Sequence, residues 1–159
     1  MGAIVPHRVL TQQVTWSVRS VQQSDDAQVA RLSRRSREKA MPWLPDLHTP
    51  AEDLAFFASE IGSSVGWVAI ESDRVLGFAL TRGEWLNHLY VDPDSQGAGV
   101  GSALLAEAVG VVGPGIRLWT FLRNERARDF YADHGFVEVE RTDGRGNEER
   151  EPDVLLQWG

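Results

Sequence analysis

The chain contains no cysteine and a single lysine, Lys39. Without cysteine, disulfides, thiolate-bound zinc and a cysteine nucleophile are excluded. No apolar run approaches the roughly 20 residues needed to cross a bilayer. Basic residues are in deficit: 16 Lys+Arg stand against 23 Asp+Glu, a formal net charge of -7. That balance argues against bulk attraction to nucleic acid or to an anionic membrane. Solubility accounts for it, and steering of a cationic amine is the alternative. What is present is ordinary for one globular domain: 159 residues, 42% hydrophobic and 25% charged. Residues 1–13 have no apolar core behind their basic residues, so they read as a loose extension rather than a signal peptide. A single domain over 14–159 and a cytoplasmic location are expected.

Val14 to Val21 is β-branched and aromatic, the pattern of a first strand. Ser24 is positioned to cap a helix with an Ala/Val/Leu stripe through Leu32. The Arg34-Arg35-Ser36-Arg37 cluster would complement that helix's C-terminal dipole. Two prolines exclude a regular helix from Met41 to His48. Thr49-Pro50-Ala51-Glu52 combines a cap, a first-position proline and a reciprocal glutamate, which predicts a helix to about Ile61. Strands follow at Val65–Glu71, Val75–Arg82 and Trp85–Val91, then a helix from about Val100 to Val109. Ile116–Leu122 reads as a buried strand. Asn124 opens another helix, which Gly135 ends. Phe136–Thr142 and Val154–Trp158 are the last strands, separated by a long polar loop. Strands run together in this way exclude a simple alternating βαβ fold and favour a mixed α/β sheet with helices on its faces.

The sharpest feature is Gln96-Gly97-Ala98-Gly99-Val100-Gly101-Ser102, directly between a strand and a helix. Glycines there admit close backbone approach, and free N–H groups at a helix start form an anion site suited to a pyrophosphate. A nucleoside triphosphate would require a lysine after the last glycine, and Ser102 and Ala103 stand there. A dinucleotide would require different glycine spacing and an acid about 20 residues on, where Arg117-Leu118-Trp119-Thr120 stands. The pyrophosphate arm of coenzyme A remains.

The segment Gln96 to Gly101 resembles the acyl-CoA signature of the GNAT family of N-acetyltransferases. Asn87-His88-Leu89-Tyr90-Val91-Asp92-Pro93 is similar to the family's fourth strand and its exit turn. The stretch from Asn124 through Tyr131 to Phe136 resembles its second cofactor motif, in the family's order and separation. The likeness covers roughly Val14 to Trp158. It implies a mixed, mostly antiparallel sheet of six or seven strands with about four helices, in which parallel strands 4 and 5 splay apart. It also implies acetyl-CoA as co-substrate and no metal. The backbone of Leu89, Tyr90 and Val91 would pair with the pantetheine arm as an added strand does. Gln96, Gly97, Ala98, Gly99, Val100, Gly101 and Ser102 would hold the pyrophosphate. Asn124 would bond the pantetheine arm, and Tyr131 would lie at the sulfur as general acid. Many relatives dimerise, and nothing in this chain fixes an interface.

The chemistry requires a neutral amine, a stabilised oxyanion and a partner for the departing thiolate. The family often places a Glu or His on the fourth strand; the matching positions here are Trp85 and Asn87, neither of them a base. Glu84, through water, and His48, at the pocket mouth, are the weaker candidates, and ordered water is the alternative. His88 should face the opposite side of the sheet. Of the large aromatic supply, most should be core, with Trp43, Trp85 and Trp119 the candidates to line the acceptor pocket beside Asn87. The acidic run Glu148, Glu149, Glu151 lies in the loop before the last strand, where the family often recognises acceptors, and reads first as a solvated loop. The expected activity is acetyl transfer to a small-molecule or peptide amine. The alternative is a degenerate acyl-CoA-binding sensor, whose motive is the missing base.

Overall fold

A computed structural model describes residues 15–159. The expected loose extension at residues 1–13 and the first residue of the expected strand at Val14 lie outside them. In chain order the elements are β1 (Ser17–Ser20), α1 (Asp26–Ala40), α2 (Pro50–Gly62), β2 (Val65–Glu71), β3 (Arg74–Arg82) and β4 (Trp85–Val91). They continue with α3 (Val100–Val112), β5 (Arg117–Phe121), α4 (Glu125–Asp133), β6 (Val137–Thr142) and β7 (Asp153–Gln157). The seven strands form one sheet in the order β1-β2-β3-β4-β5-β7-β6. Every ladder is antiparallel except β4 with β5. This is the mixed α/β architecture anticipated, with seven strands and four α-helices among the described residues.

Local chemistry sets the element ends. Thr49 and Glu52 form the reciprocal cap of α2, with Pro50 at its first position. The β2–β3 hairpin turns on Ser72 and Asp73, with Ser72 left-handed at φ 53. Ser24 does not cap α1: it sits in a 3-10 turn over Gln23–Asp25. Asp25 closes the turn instead, accepting the Gln22 amide at 2.7 Å and two bonds from Arg19 at 2.9 Å. Helix α1 runs on to Ala40 because Arg, Glu, Lys and Ala extend it well past the apolar stripe. Arg34 is therefore a mid-helix residue, and it braces α1 to α2 through Asp53 (2.8 Å) and the His48 carbonyl (2.6 Å).

Each face of the sheet carries its own core. Helices α1 and α2 pack Val29, Leu32, Phe57 and Ile61 against Val68, Phe78 and Leu80. On the other face Leu104, Leu105 and Ala108 of α3 and Tyr131 of α4 cover Trp67, Ala79, Leu118 and Leu156. Full burial of a Leu or Phe is worth about 1.5–3 kcal/mol each, so these layers hold the sheet rigid around whatever its central strands do. Gly77 permits the close seat of α3. A Cβ there would meet Val100 Cγ1 at 2.9 Å and the Tyr90 carbonyl at 3.0 Å.

Candidate active site

Two irregularities open the sheet at its centre. The β3–β4 ladder pairs Thr81 with Leu86 but Leu80 with His88. Asn87 is thus an extra residue, a bulge that bends the strand. On its other edge β4 pairs with β5 only at Trp85 and Arg117. Beyond that point the two strands diverge. The gap-facing backbone of β4 past the bulge has no strand partner there, although buried backbone polar groups ordinarily have one.

The gap is a cavity of about 390 Å³. Asn87, Leu89 and Tyr90 line it from β4, Trp119 and Thr120 from β5, and Asn124 and Tyr131 from α4. The bulge also resets the alternation of β4. Leu86, Leu89 and Val91 join the core under α3, while Tyr90 turns to the face of α1 and α2. His88 shares that second face, with its ring 5.1 Å from Phe57 and its Nε2 3.6 Å from Glu60. Burial lowers its pKa against the opposing pull of Glu60.

At one end of the gap lies the glycine turn. Gly97 and Gly99 are left-handed, at φ 84 and 82, a region that costs a non-glycine residue roughly 1–2 kcal/mol. A Cβ at either would meet nothing within 4 Å, so the space over the loop is open. Ala103 donates to the Gly99 carbonyl as the first helical bond of α3. The amides just before it have no acceptor within the helix. The turn is fixed from below by buried Asp92, which accepts from Arg35 and Arg74 at 3.0 Å and from the Asp94 amide at 2.9 Å. Burial alone would raise the Asp92 pKa; the amide and the two guanidiniums outweigh it and hold the carboxylate below its usual range. Ser102 at the loop's end meets His134 Nε2 at 3.0 Å.

Across the gap stands Tyr131, buried, its hydroxyl without a hydrogen bond to the described residues. Burial, and secondarily nearby Tyr90, push its pKa well above the ordinary phenol value. Burial also raises Tyr90. Both tyrosines of the chain therefore line this one cavity. Asn124 caps α4 through the Ala127 amide at 3.2 Å. Its Nδ2 meets only the Met41 sulfur, at 3.4 Å, a weak acceptor that leaves the donor available.

Other candidates sit elsewhere. Glu84 is exposed, outside the cavity lining, and paired with Arg117. His48 is half-buried and held by Glu148 at 2.7 Å and Glu52 at 3.6 Å. Glu148, first, raises its pKa. His48 lies outside the lining of the gap. Trp85 lies under the Arg117 guanidinium at 4.9 Å. Trp43 packs edge-on against Phe121 and beneath Arg123. Of the expected pocket residues, Asn87 and Trp119 line the gap.

The loop between β6 and β7 is not a simple solvated run. Asn147 staples it, donating to the Glu151 carbonyl at 2.6 Å and accepting the Glu151 amide at 3.2 Å. Gly144 is required where the loop closes, since a Cβ would fall 2.4 Å from the Glu151 backbone. Glu151 pairs with Arg123. Of the acidic run, Glu149 is carried into the cavity lining.

The family model for the "Acetyltransferase (GNAT) domain" matches residues 62–138, the stretch from the end of α2 into β6. Over that stretch the chain is similar to the GNAT family. It is similar to the peptidyl-lysine N-acetyltransferase YjaB of Escherichia coli, 33% identical over 99 residues, which are 62% of this chain and 65% of that protein. The apo solution structure of that protein superposes with a TM-score of 0.75 at 25% identity, over 90% of this chain and 97% of that one. The PaiA N-acetyltransferase of Thermoplasma acidophilum, solved with coenzyme A, shares the fold at a TM-score of 0.67 and 18% identity, over 90% of this chain and 99% of that one. The chain matches between 42% and 65% of the length of the curated relatives. Among the described residues, no helix is long and apolar enough to cross a membrane.

Proposed function

We propose that this GNAT domain is an acetyl-CoA-dependent N-acetyltransferase acting on a primary amine by direct attack in a ternary complex. The observation that carries the reading is the divergence of β4 and β5 between an open glycine turn and a buried tyrosine. The geometry fits a CoA thioester by elementary chemistry. The α3 amides and left-handed glycines suit a diphosphate. The unpaired β4 edge suits an amide-bearing arm laid as an added strand. Asn124 offers a donor along that path.

Bound acetyl-CoA would supply an activated acetyl group and a thiolate leaving group. A β4 amide serves the developing oxyanion. The amine nitrogen bonds to the acetyl carbon, and the carbon–sulfur bond breaks with its electron pair on sulfur. An ammonium loses two protons on the way to an amide; one ends on sulfur and one in solvent. Glu149, at the cavity rim, takes the ammonium hydrogen bond and relays the proton to water. Neither Glu84 nor His48 is needed for this. Tyr131 helps the sulfur leave. A phenol ordinarily titrates near 10 and a thiol near 8.5, and burial moves Tyr131 further up. It therefore stabilises the thiolate by donating a hydrogen bond rather than by surrendering its proton.

Thiol release from acetyl-CoA, measured with a panel of primary amines, tests the reading. Release that requires an amine is expected. Tight acetyl-CoA binding with no release for any amine would overturn it in favour of a sensor module.

A further inference from the structure

A second cavity, of about 280 Å³, adjoins the first; Met41 and Glu149 line both. Five charged residues line it: Arg34, Arg37, Glu38, Asp46 and Glu149. Three of them satisfy one another. Arg34 binds Asp46 at 3.2 Å and lies 3.7 Å from Glu38, besides its bond to Asp53. Arg37 and Glu149 have no ionic partner among the described residues, although every other charge there is engaged. The Arg37 Nε is buried without an acceptor. A guanidinium N–H buried without an acceptor is costly, and a carboxylate is the group its planar donor fork matches. One free cation and one free carboxylate thus face a shared space that opens onto the gap where the acetyl group would lie.

We propose that the acceptor is a small amine that also carries a carboxylate, its carboxylate held by Arg37 in the second cavity and its ammonium held by Glu149 at the junction. The inference rests on the N-acetyltransferase reading above. Combined volumes of this size suit a small molecule. Glu38, Asp46 and Glu149 would disfavour a dianion such as a phosphonate, which selects the singly charged carboxylate. The arrangement also disfavours diamines, whose second cation would face Arg37.

The test is thiol release from acetyl-CoA with ω-amino acids of two to six carbons, each compared with the n-alkylamine that lacks the carboxylate. At the best chain length the amino acid is expected to exceed its alkylamine at least tenfold in kcat/KM, mainly through KM. Arg37→Gln should bring that ratio close to one, and Arg37→Lys should restore part of it. Calorimetric titration with acetyl-CoA checks that each variant retains its cofactor site. Equal use of alkylamines and amino acids by the unaltered protein would overturn the inference and leave the N-acetyltransferase reading standing. A preference for aminophosphonates, for diamines, or for lysine within a peptide over the free amino acids would overturn it in the same way. No release with any amine would overturn both.

Discussion

Trp85 and Arg117 are the one position at which β4 and β5 pair, and the Arg117 guanidinium lies 4.9 Å over the Trp85 ring. The opening of the gap is thus hinged on a single ladder position with a cation–π lid. The accompanying ion pair to Glu84 is half-exposed and contributes at most about 1 kcal/mol. Arg117→Met, which keeps the methylenes over the ring, is expected to change stability by less than about 1 kcal/mol. Denaturant unfolding checks this. A much larger loss would mean that the hinge depends on the charge.

Gly99→Glu should abolish acetyl-CoA binding while the domain still folds. The substitution puts a carboxylate into the open space over the α3 amides and a side chain at φ 82, but it clashes with nothing. The strain should cost about 1–2 kcal/mol of stability. Calorimetry and thermal unfolding measured together separate the two effects, and unchanged affinity would contradict the loop's role.

Tyr131→Phe should lower kcat roughly 10- to 100-fold, the loss of about 1.4–2.8 kcal/mol of transition-state stabilisation, with acetyl-CoA affinity nearly unchanged. The hydroxyl makes no bond to the described residues, so its removal leaves nothing there unsatisfied. Equal losses of turnover and affinity would assign Tyr131 to packing.

Asp92 couples the loop to pH. Its folded-state pKa lies below the unfolded value near 3.9, so its contribution is complete above that value and fades as pH falls through the folded pKa. Asp92→Asn should cost about 1–3 kcal/mol at neutral pH and flatten the acid loss of stability below about pH 4. Unfolding curves from pH 3 to 7 on both proteins check it; parallel curves would contradict the assignment.

The fold was largely legible because its elements carry local signals. The Thr49–Glu52 cap, the Asn124 cap and Gly135 at φ 87 act within a few residues of chain. The glycine turn was legible for the same reason. Asn87 as a bulge was not, since a bulge is set by the register of two strands; of the two tryptophans on the splayed strands, Trp119 lines the gap and Trp85 does not. That Arg37 and Glu149 would face one cavity was hidden for a longer-range reason. One lies in the last turn of α1, the other sits in a loop shaped by Asn147 and Gly144, and only the folded chain brings them to one cavity. Glu84 and His48 looked available in sequence because their partners, Arg117 and Glu148, are distant along the chain.

Amide hydrogen exchange with and without acetyl-CoA reads the gap most directly. Slowed exchange confined mainly to 87–90 in β4 and to 97–102 in the glycine turn is the expected result. Unchanged exchange at both segments under saturating acetyl-CoA would contradict the account.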